Sequence, residues 1–86
     1  MSDSAIMVHV QLDTQGLYCP DPIMMLRKAI RQLQVGEVVE VVATDPSTSW
    51  DIPRFCVHMN HELLLQEQTL SEQQKKCYRY LIKKGA

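Results

Sequence analysis

The sequence lacks any surplus of positive charge: 9 Lys and Arg stand against 10 Asp and Glu, a formal net charge of −1. A protein held on nucleic acid by bulk electrostatics needs a marked excess of basic side chains to displace phosphate counterions. Direct nucleic-acid binding is therefore not expected. No run approaches the roughly 18–20 apolar residues of a membrane helix, and Met1-Ser2-Asp3-Ser4 is polar and acidic where an export signal would be basic and then apolar. No membrane partner and a cytoplasmic location are the expectations. Also missing are a glycine-rich phosphate loop, a Cys-x-x-Cys motif, an Asp/Glu pairing suited to acid/base hydrolysis, internal repeats and linkers. Paired cysteines are also missing: Cys19, Cys56 and Cys77 are odd in number and widely spaced, whereas small disulfide-stapled domains carry four or six. They read as thiols. A chain of 86 residues removes only roughly 60–65% of its unfolded surface from water. It builds one domain, 1–86, around one modest core, with little room for a large cofactor, and none is expected.

What is present is a clear alternation of periods. Val8 to Asp13 alternates apolar and polar, the mark of a strand with one buried face, with His9, Gln11 and Asp13 toward water. From Pro20 to Leu33 the period becomes helical, with Ile23, Leu26, Ile30 and Leu33 on one stripe, and Val35-Gly36 is read as its glycine stop. Val38 to Ala43 is β-branched and reads as a second strand. Asp45-Pro46-Ser47-Thr48 signals a second helix running to about Asn60, its first turn distorted by Pro53. Leu63 to Thr69 and Cys77 to Lys83 complete the set as strands. The order β-α-β-α-β-β predicts an α/β (α+β) two-layer sandwich: a four-stranded mixed sheet with both helices on one face. Residues 1–5 and the Ser71 to Lys76 turn, which lacks Gly and Pro, are expected to be poorly ordered.

The chemistry concentrates at Cys19-Pro20-Asp21-Pro22. Proline has a fixed φ and no N–H, so it suits a first helical turn, where amide protons lack intrahelical acceptors. That places Cys19 at the N-cap. The positive end of the helix dipole there is expected to lower the thiol pKa, with Arg27 and Arg31 adding a longer-range bias and Asp21 opposing it. The expectation is an exposed, modestly activated nucleophile. On the helical wheel, measured from Ile23, Arg27, Arg31 and Met24 fall near roughly 40°, 80° and 100°, away from the apolar stripe. Met flanked by Arg beside a reactive sulfur has the composition of a protein-docking surface; a Met covered by arginine stems is the bland alternative.

Other groups carry less. Cys56, His58 and His61 are spaced so that a helix spreads them around its circumference, so no metal site is expected, and Cys56 reads as a core cysteine. Cys77 reads as structural or incidental. Charge falls in blocks: residues 1–26 hold three acids and no base, residues 37–72 seven acids against Arg54, and the C-terminal stretch is basic from Lys75 to Lys84. Solvated faces account for such blocks.

Leu12-Asp13, Gly16-Leu17, Cys19-Pro20-Asp21-Pro22, Met24-Met25 and Arg27-Lys28 resemble the start of the TusA family of sulfur-carrier proteins, whose signature is Cys-Pro-x-Pro. The resemblance continues through Asp45-Pro46, Asp51-Ile52-Pro53, Phe55-Cys56, His61-Glu62-Leu63 and Tyr78-Arg79-Tyr80-Leu81-Ile82 to Lys84-Gly85, over nearly the whole chain. It implies the same β-α-β-α-β-β sandwich. It also implies that Cys19 accepts sulfane sulfur as a persulfide from a cysteine desulfurase and hands it to a downstream sulfur-relay protein, ending in 2-thiouridine at the tRNA wobble position. Some relatives serve molybdenum-cofactor assembly or sulfur oxidation instead. One departure is Thr69 to Cys77, longer and more polar than the family's tight, glycine-containing turn, which leaves Cys77 without a family role. Two other classes stay open on the residues alone. A thiol redox protein would link Cys19 to Cys56 or Cys77 on mild oxidation. A small RNA-binding module is disfavoured by the charge balance and by Trp50 as the single surface-type aromatic of the second helix.

Overall fold

A computed structural model describes residues 6–85. Residues 1–5, expected to be poorly ordered, lie outside that range. The elements follow in the expected order: β1 (Val10–Thr14), α1 (Asp21–Arg31), β2 (Val38–Ala43), α2 (Thr48–His58), β3 (Glu62–Leu70) and β4 (Lys76–Lys83). They form one mixed sheet in the order β1-β2-β4-β3. β1 runs parallel to β2, with Val10 opposite Val39 and Thr14 opposite Ala43, whereas β4 is antiparallel to both neighbours. One end of the sheet thereby collects the exits of β1, β2 and β3 and the entry of β4.

Successive strand side chains point to opposite faces, and the apolar alternates Val39, Val41, Tyr78, Tyr80 and Ile82 share one buried cluster with Leu26 and Ile30 of α1 and Ile52 and Cys56 of α2. Both helices therefore lie on the same face. Each fully buried aliphatic side chain there contributes about 1.5–3 kcal/mol by leaving water. Tyr80 brings a hydroxyl into this core, and it meets Thr48 Oγ1 at 2.8 Å, which satisfies both groups. The other face is polar: Gln11 Nε2 donates to Glu40 at 3.0 Å, and Arg79 bonds both Glu40 and Glu67. His9, Gln11 and Asp13 are exposed, as the alternation predicts.

The boundaries differ from expectation for identifiable reasons. α1 ends at Arg31 because the amides of Gln32 and Leu33 bond three residues back, to Ala29 and Ile30, tightening the last turn. Gly36 is thus no helix stop; it lies in a separate turn at φ +94, donating its N–H to Lys84 O at 2.9 Å. α2 ends at His58 and stays continuous through Pro53. The chain enters it by three-residue bonds such as Trp50 N–H to Ser47 O at 3.2 Å. Proline at position 53 leaves the Ser49 carbonyl without its helical amide partner, and Gln66 Nε2 of β3 donates to that oxygen at 2.8 Å. The turn between β3 and β4, expected to be poorly ordered, is closed by Ser71 N–H to Lys75 O at 2.8 Å. The Ser71 hydroxyl also accepts the amides of Gln73 and Lys75, and Gln74 takes the φ of +61 that a glycine would ordinarily supply.

Candidate functional site

β1 leads into the Cys19 loop through a turn in which Gly16, at φ +82, donates its N–H to Thr44 Oγ1 at 2.8 Å. This ties the loop to the segment that follows β2. Pro20 is the N-cap of α1, because its carbonyl accepts the first helical bond, from Met24 N–H at 3.0 Å. Cys19 therefore stands one residue before the N-cap position expected for it, joined to Pro20 by a cis peptide bond. Its thiol is exposed, while Pro22 is buried in the first turn and fastens the helix start to the core. Asp21 is exposed at the opening of the helix.

The partner of the Cys19 backbone is Asp45, from the connection between β2 and α2. Its Oδ2 accepts the Cys19 N–H at 2.7 Å and the Ser47 hydroxyl at 2.9 Å, and its Oδ1 accepts the Ser47 N–H at 3.1 Å. These bonds, the Ser47 backbone first, hold the largely buried Asp45 carboxyl below the usual carboxylate range. In the sequence Asp45 reads as part of a helix-start signal and of the family resemblance, and nothing local points from it to Cys19.

The expected lowering of the Cys19 pKa is overturned. Desolvation, a hydrogen bond to Asp51 and the negative charges of Asp51 and Asp45 push the thiol up, and a hydrogen bond from Ser47 works the other way. The sulfur lies outside the first turn of α1, where the dipole's effect falls off, and beside the carboxylates of Asp51 in α2 and Asp45 in the β2–α2 connection. Asp21, the carboxylate weighed from sequence, is not the one that matters.

Cys19 opens onto a groove of about 370 Å³ between the helices, walled by Ile23 of α1 and by Asp51, Arg54, Phe55 and His58 of α2. Phe55 continues into a second hollow of about 200 Å³, lined also by Arg27, Arg31, Met59 and Lys84. The exposed Arg27 and Arg31 thus flank the prolongation of the cysteine groove. Met24 is 60% exposed, as its wheel position predicts, and Trp50 is 57% exposed on α2. Tyr18, next to Cys19 and 72% exposed, gives no signal in the sequence because a loop aromatic has no periodicity to betray it. A wider hollow of about 780 Å³ lies between the Tyr18 loop and the β3–β4 turn and reaches Cys77, but Cys19 does not line it. Its size is less informative than the position of the smaller groove, which holds the thiol.

Cys56 belongs to the core, and burial pushes its thiol up to about 11. His58 lies in the cysteine groove, and His61 Nδ1 accepts the Gly85 N–H at 3.0 Å. The three do not converge, and among the described residues no group of His, Cys, Asp or Glu is arranged to hold a metal. Nor is any helix among those residues long and apolar enough to cross a membrane.

Comparison with known proteins agrees with this architecture. A SirA-like protein from Desulfitobacterium hafniense, known from its crystal structure, superposes with a TM-score of 0.64 at 19% identity, covering 85% of this chain and 96% of its own, and so shares the fold. The Sulfur carrier protein TusA of Pseudomonas entomophila (strain L48) is 51% identical over 75 residues, which is 87% of this chain and 88% of that protein. The family described as Sulfurtransferase TusA matches residues 10–84, from the first strand through the Cys19 loop and both helices to the end of the last strand. The chain belongs to the TusA family.

Proposed function

We propose that this protein is a cytoplasmic sulfur carrier that accepts sulfane sulfur on Cys19 from a cysteine desulfurase and passes it to a downstream sulfur-relay protein, in service of 2-thiouridine formation at the tRNA wobble position. The observation that carries this reading is the presentation of one exposed thiol, anchored through its own backbone by Asp45, at the mouth of a groove between two helices. A relative that is 51% identical bears the name sulfur carrier protein.

The transfer is a thiol exchange. The Cys19 thiolate attacks the terminal sulfur of a donor persulfide, the donor's S–S bond breaks, and the donor's own sulfur leaves as a thiolate. The proton lost by Cys19 ends on that thiolate, so the sum is thiol plus persulfide giving persulfide plus thiol, with no net oxidation. Hand-off repeats the step with an acceptor thiolate attacking the Cys19 persulfide. An exposed sulfur on a backbone held at 2.7 Å meets the requirement for access from either partner. Met24, Arg27 and Arg31, with Tyr18 and Trp50, supply the aromatic, methionine and arginine composition typical of protein interfaces.

Sulfur labelling tests both halves of the proposal. Label from cysteine should pass through a desulfurase to this protein and then leave it for an acceptor. A carrier that takes up no label overturns the reading.

A further inference from the structure

The hollow of about 200 Å³ that continues the cysteine groove is lined by Arg27, Arg31, His61 and Lys84 over an apolar floor of Ile30, Phe55 and Met59. No carboxylate lines it, whereas three larger hollows each include one, Glu72, Glu62 or Asp51. A recess walled by one sign of charge over apolar surface focuses its field on whatever enters. We propose that this hollow binds a small phosphate-type oxyanion carrying an apolar group, and that the occupant competes with the sulfur donor for Arg27 and Arg31, a competition that rests on the carrier reading above.

Two of the four polar groups are held in place by backbone bonds. Lys84 Nζ donates at 2.6 Å to Leu33 O, just beyond the end of α1. Its main chain is fixed as well, for Lys84 N–H donates to Glu37 O at 2.8 Å and Lys84 O accepts the Gly36 N–H at 2.9 Å. The ammonium keeps two further protons for a ligand. His61 Nδ1 is spent on the Gly85 N–H at 3.0 Å, so the neutral ring carries its proton on Nε2 and can only donate there. Close packing holds that bond, because a Cβ on Gly85 would collide with Asn60 O. The same ring stands 5.6 Å from that of Phe55, in the floor. Arg27 and Arg31 lie one turn apart on α1, both exposed, and neither has a hydrogen bond or ion pair among the described residues. Each guanidinium fork matches two oxygens of a phosphate. The acids of the adjoining segments are engaged elsewhere: Glu37 Oε1 accepts the Gln34 N–H at 2.9 Å, and Glu62 lines the neighbouring hollow of about 510 Å³.

The test is NMR on the full chain without partners, following the His61 ring and the arginine side chains as phenyl phosphate or inorganic phosphate is added against sodium chloride of equal ionic strength. Phenyl phosphate should give saturable shifts centred on this hollow and raise the pH at which His61 titrates. It should bind several-fold more tightly than inorganic phosphate, because its ring meets Phe55 and Met59. Arg27→Gln with Arg31→Gln should weaken it at least tenfold, whereas Lys75→Gln, which removes a charge from another hollow, should leave it unchanged. Shifts that do not saturate, or that chloride reproduces, overturn the proposal, as do a His61 proton on Nδ1 and an equal loss in Lys75→Gln. Calorimetry with a cysteine desulfurase reads the competition: saturating phenyl phosphate should weaken its binding several-fold. Undiminished affinity overturns the competition. Absence of desulfurase binding in chloride alone overturns the docking reading, while the NMR shifts still decide the hollow.

Discussion

The backbone N–H of Cys19 donates to the buried carboxylate of Asp45 at 2.7 Å, across 26 positions of sequence. This single bond fastens the loop that carries the thiol to the start of α2. Asp45 in turn is bonded through both oxygens to Ser47, so the position of the cysteine backbone depends on a carboxylate that is itself held by hydrogen bonds.

Replacing Asp45 should therefore loosen the cysteine loop and destabilise the domain in a pH-dependent way. Charge-assisted hydrogen bonds to a buried carboxylate are worth about 1.5–3 kcal/mol, and Asp45→Asn, which retains one acceptor, should cost about half of that. The folded pKa of Asp45 is depressed. Its contribution is thus fully present above the ordinary carboxylate range and is lost as the pH falls through the lower, folded value. Urea unfolding of both proteins from pH 7 down to acid measures this. The stability gap should be widest at neutral pH and close on acidification; a gap independent of pH contradicts it.

Gln66 substitutes for the amide that Pro53 lacks. Gln66→Ala should cost about 0.5–1.5 kcal/mol, the usual net worth of one hydrogen bond. In a Pro53→Ala background, where the Ser49 carbonyl regains a helical donor, the same change should cost less. A double-mutant cycle by denaturant unfolding reads the coupling directly, and strict additivity contradicts the assignment.

Docking should depend on the rim of the cysteine groove. Arg27→Glu together with Arg31→Glu should weaken binding to a cysteine desulfurase at least tenfold while leaving the thermal midpoint nearly unchanged, since both side chains are exposed. Tyr18→Ala and Trp50→Ala should each reduce affinity without unfolding the protein. Titration calorimetry checks all three, and unaltered affinity returns these residues to an ordinary solvated surface.

Deleting the gene in its native host should abolish wobble thiolation of tRNA, measured by nucleoside mass spectrometry, and the Cys19→Ser allele should fail to restore it. Normal thiolation in the deletion strain assigns the carried sulfur to another pathway, such as molybdenum-cofactor assembly.

Much of the fold is legible in the sequence because burial imposes period. The stripe Leu26, Ile30, Leu33 and the alternates Tyr78, Tyr80, Ile82 are all core residues, and the order of elements admits few compact arrangements. The loop cysteine is legible because proline acts locally. What escapes is anything decided by contact between distant segments. Desolvation first, then Asp51 and Asp45, push the Cys19 thiol up, and these surroundings come from the β2–α2 connection and α2, which only the fold brings to the sulfur. Gly36 invites reading as a helix stop, but α1 had already tightened at Gln32. The Ser71 to Lys76 turn lacks the usual turn residues, and it is closed by a serine hydroxyl and a glutamine in left-handed conformation.

The central claim is that sulfur resides on Cys19, and intact mass measures it most directly. After incubation with a cysteine desulfurase and cysteine, the protein should gain about 32 Da, one sulfur atom, and lose it again on reduction. Cys56→Ser and Cys77→Ser should retain the adduct, whereas Cys19→Ser should show none. An adduct of the same mass on Cys19→Ser would contradict the account.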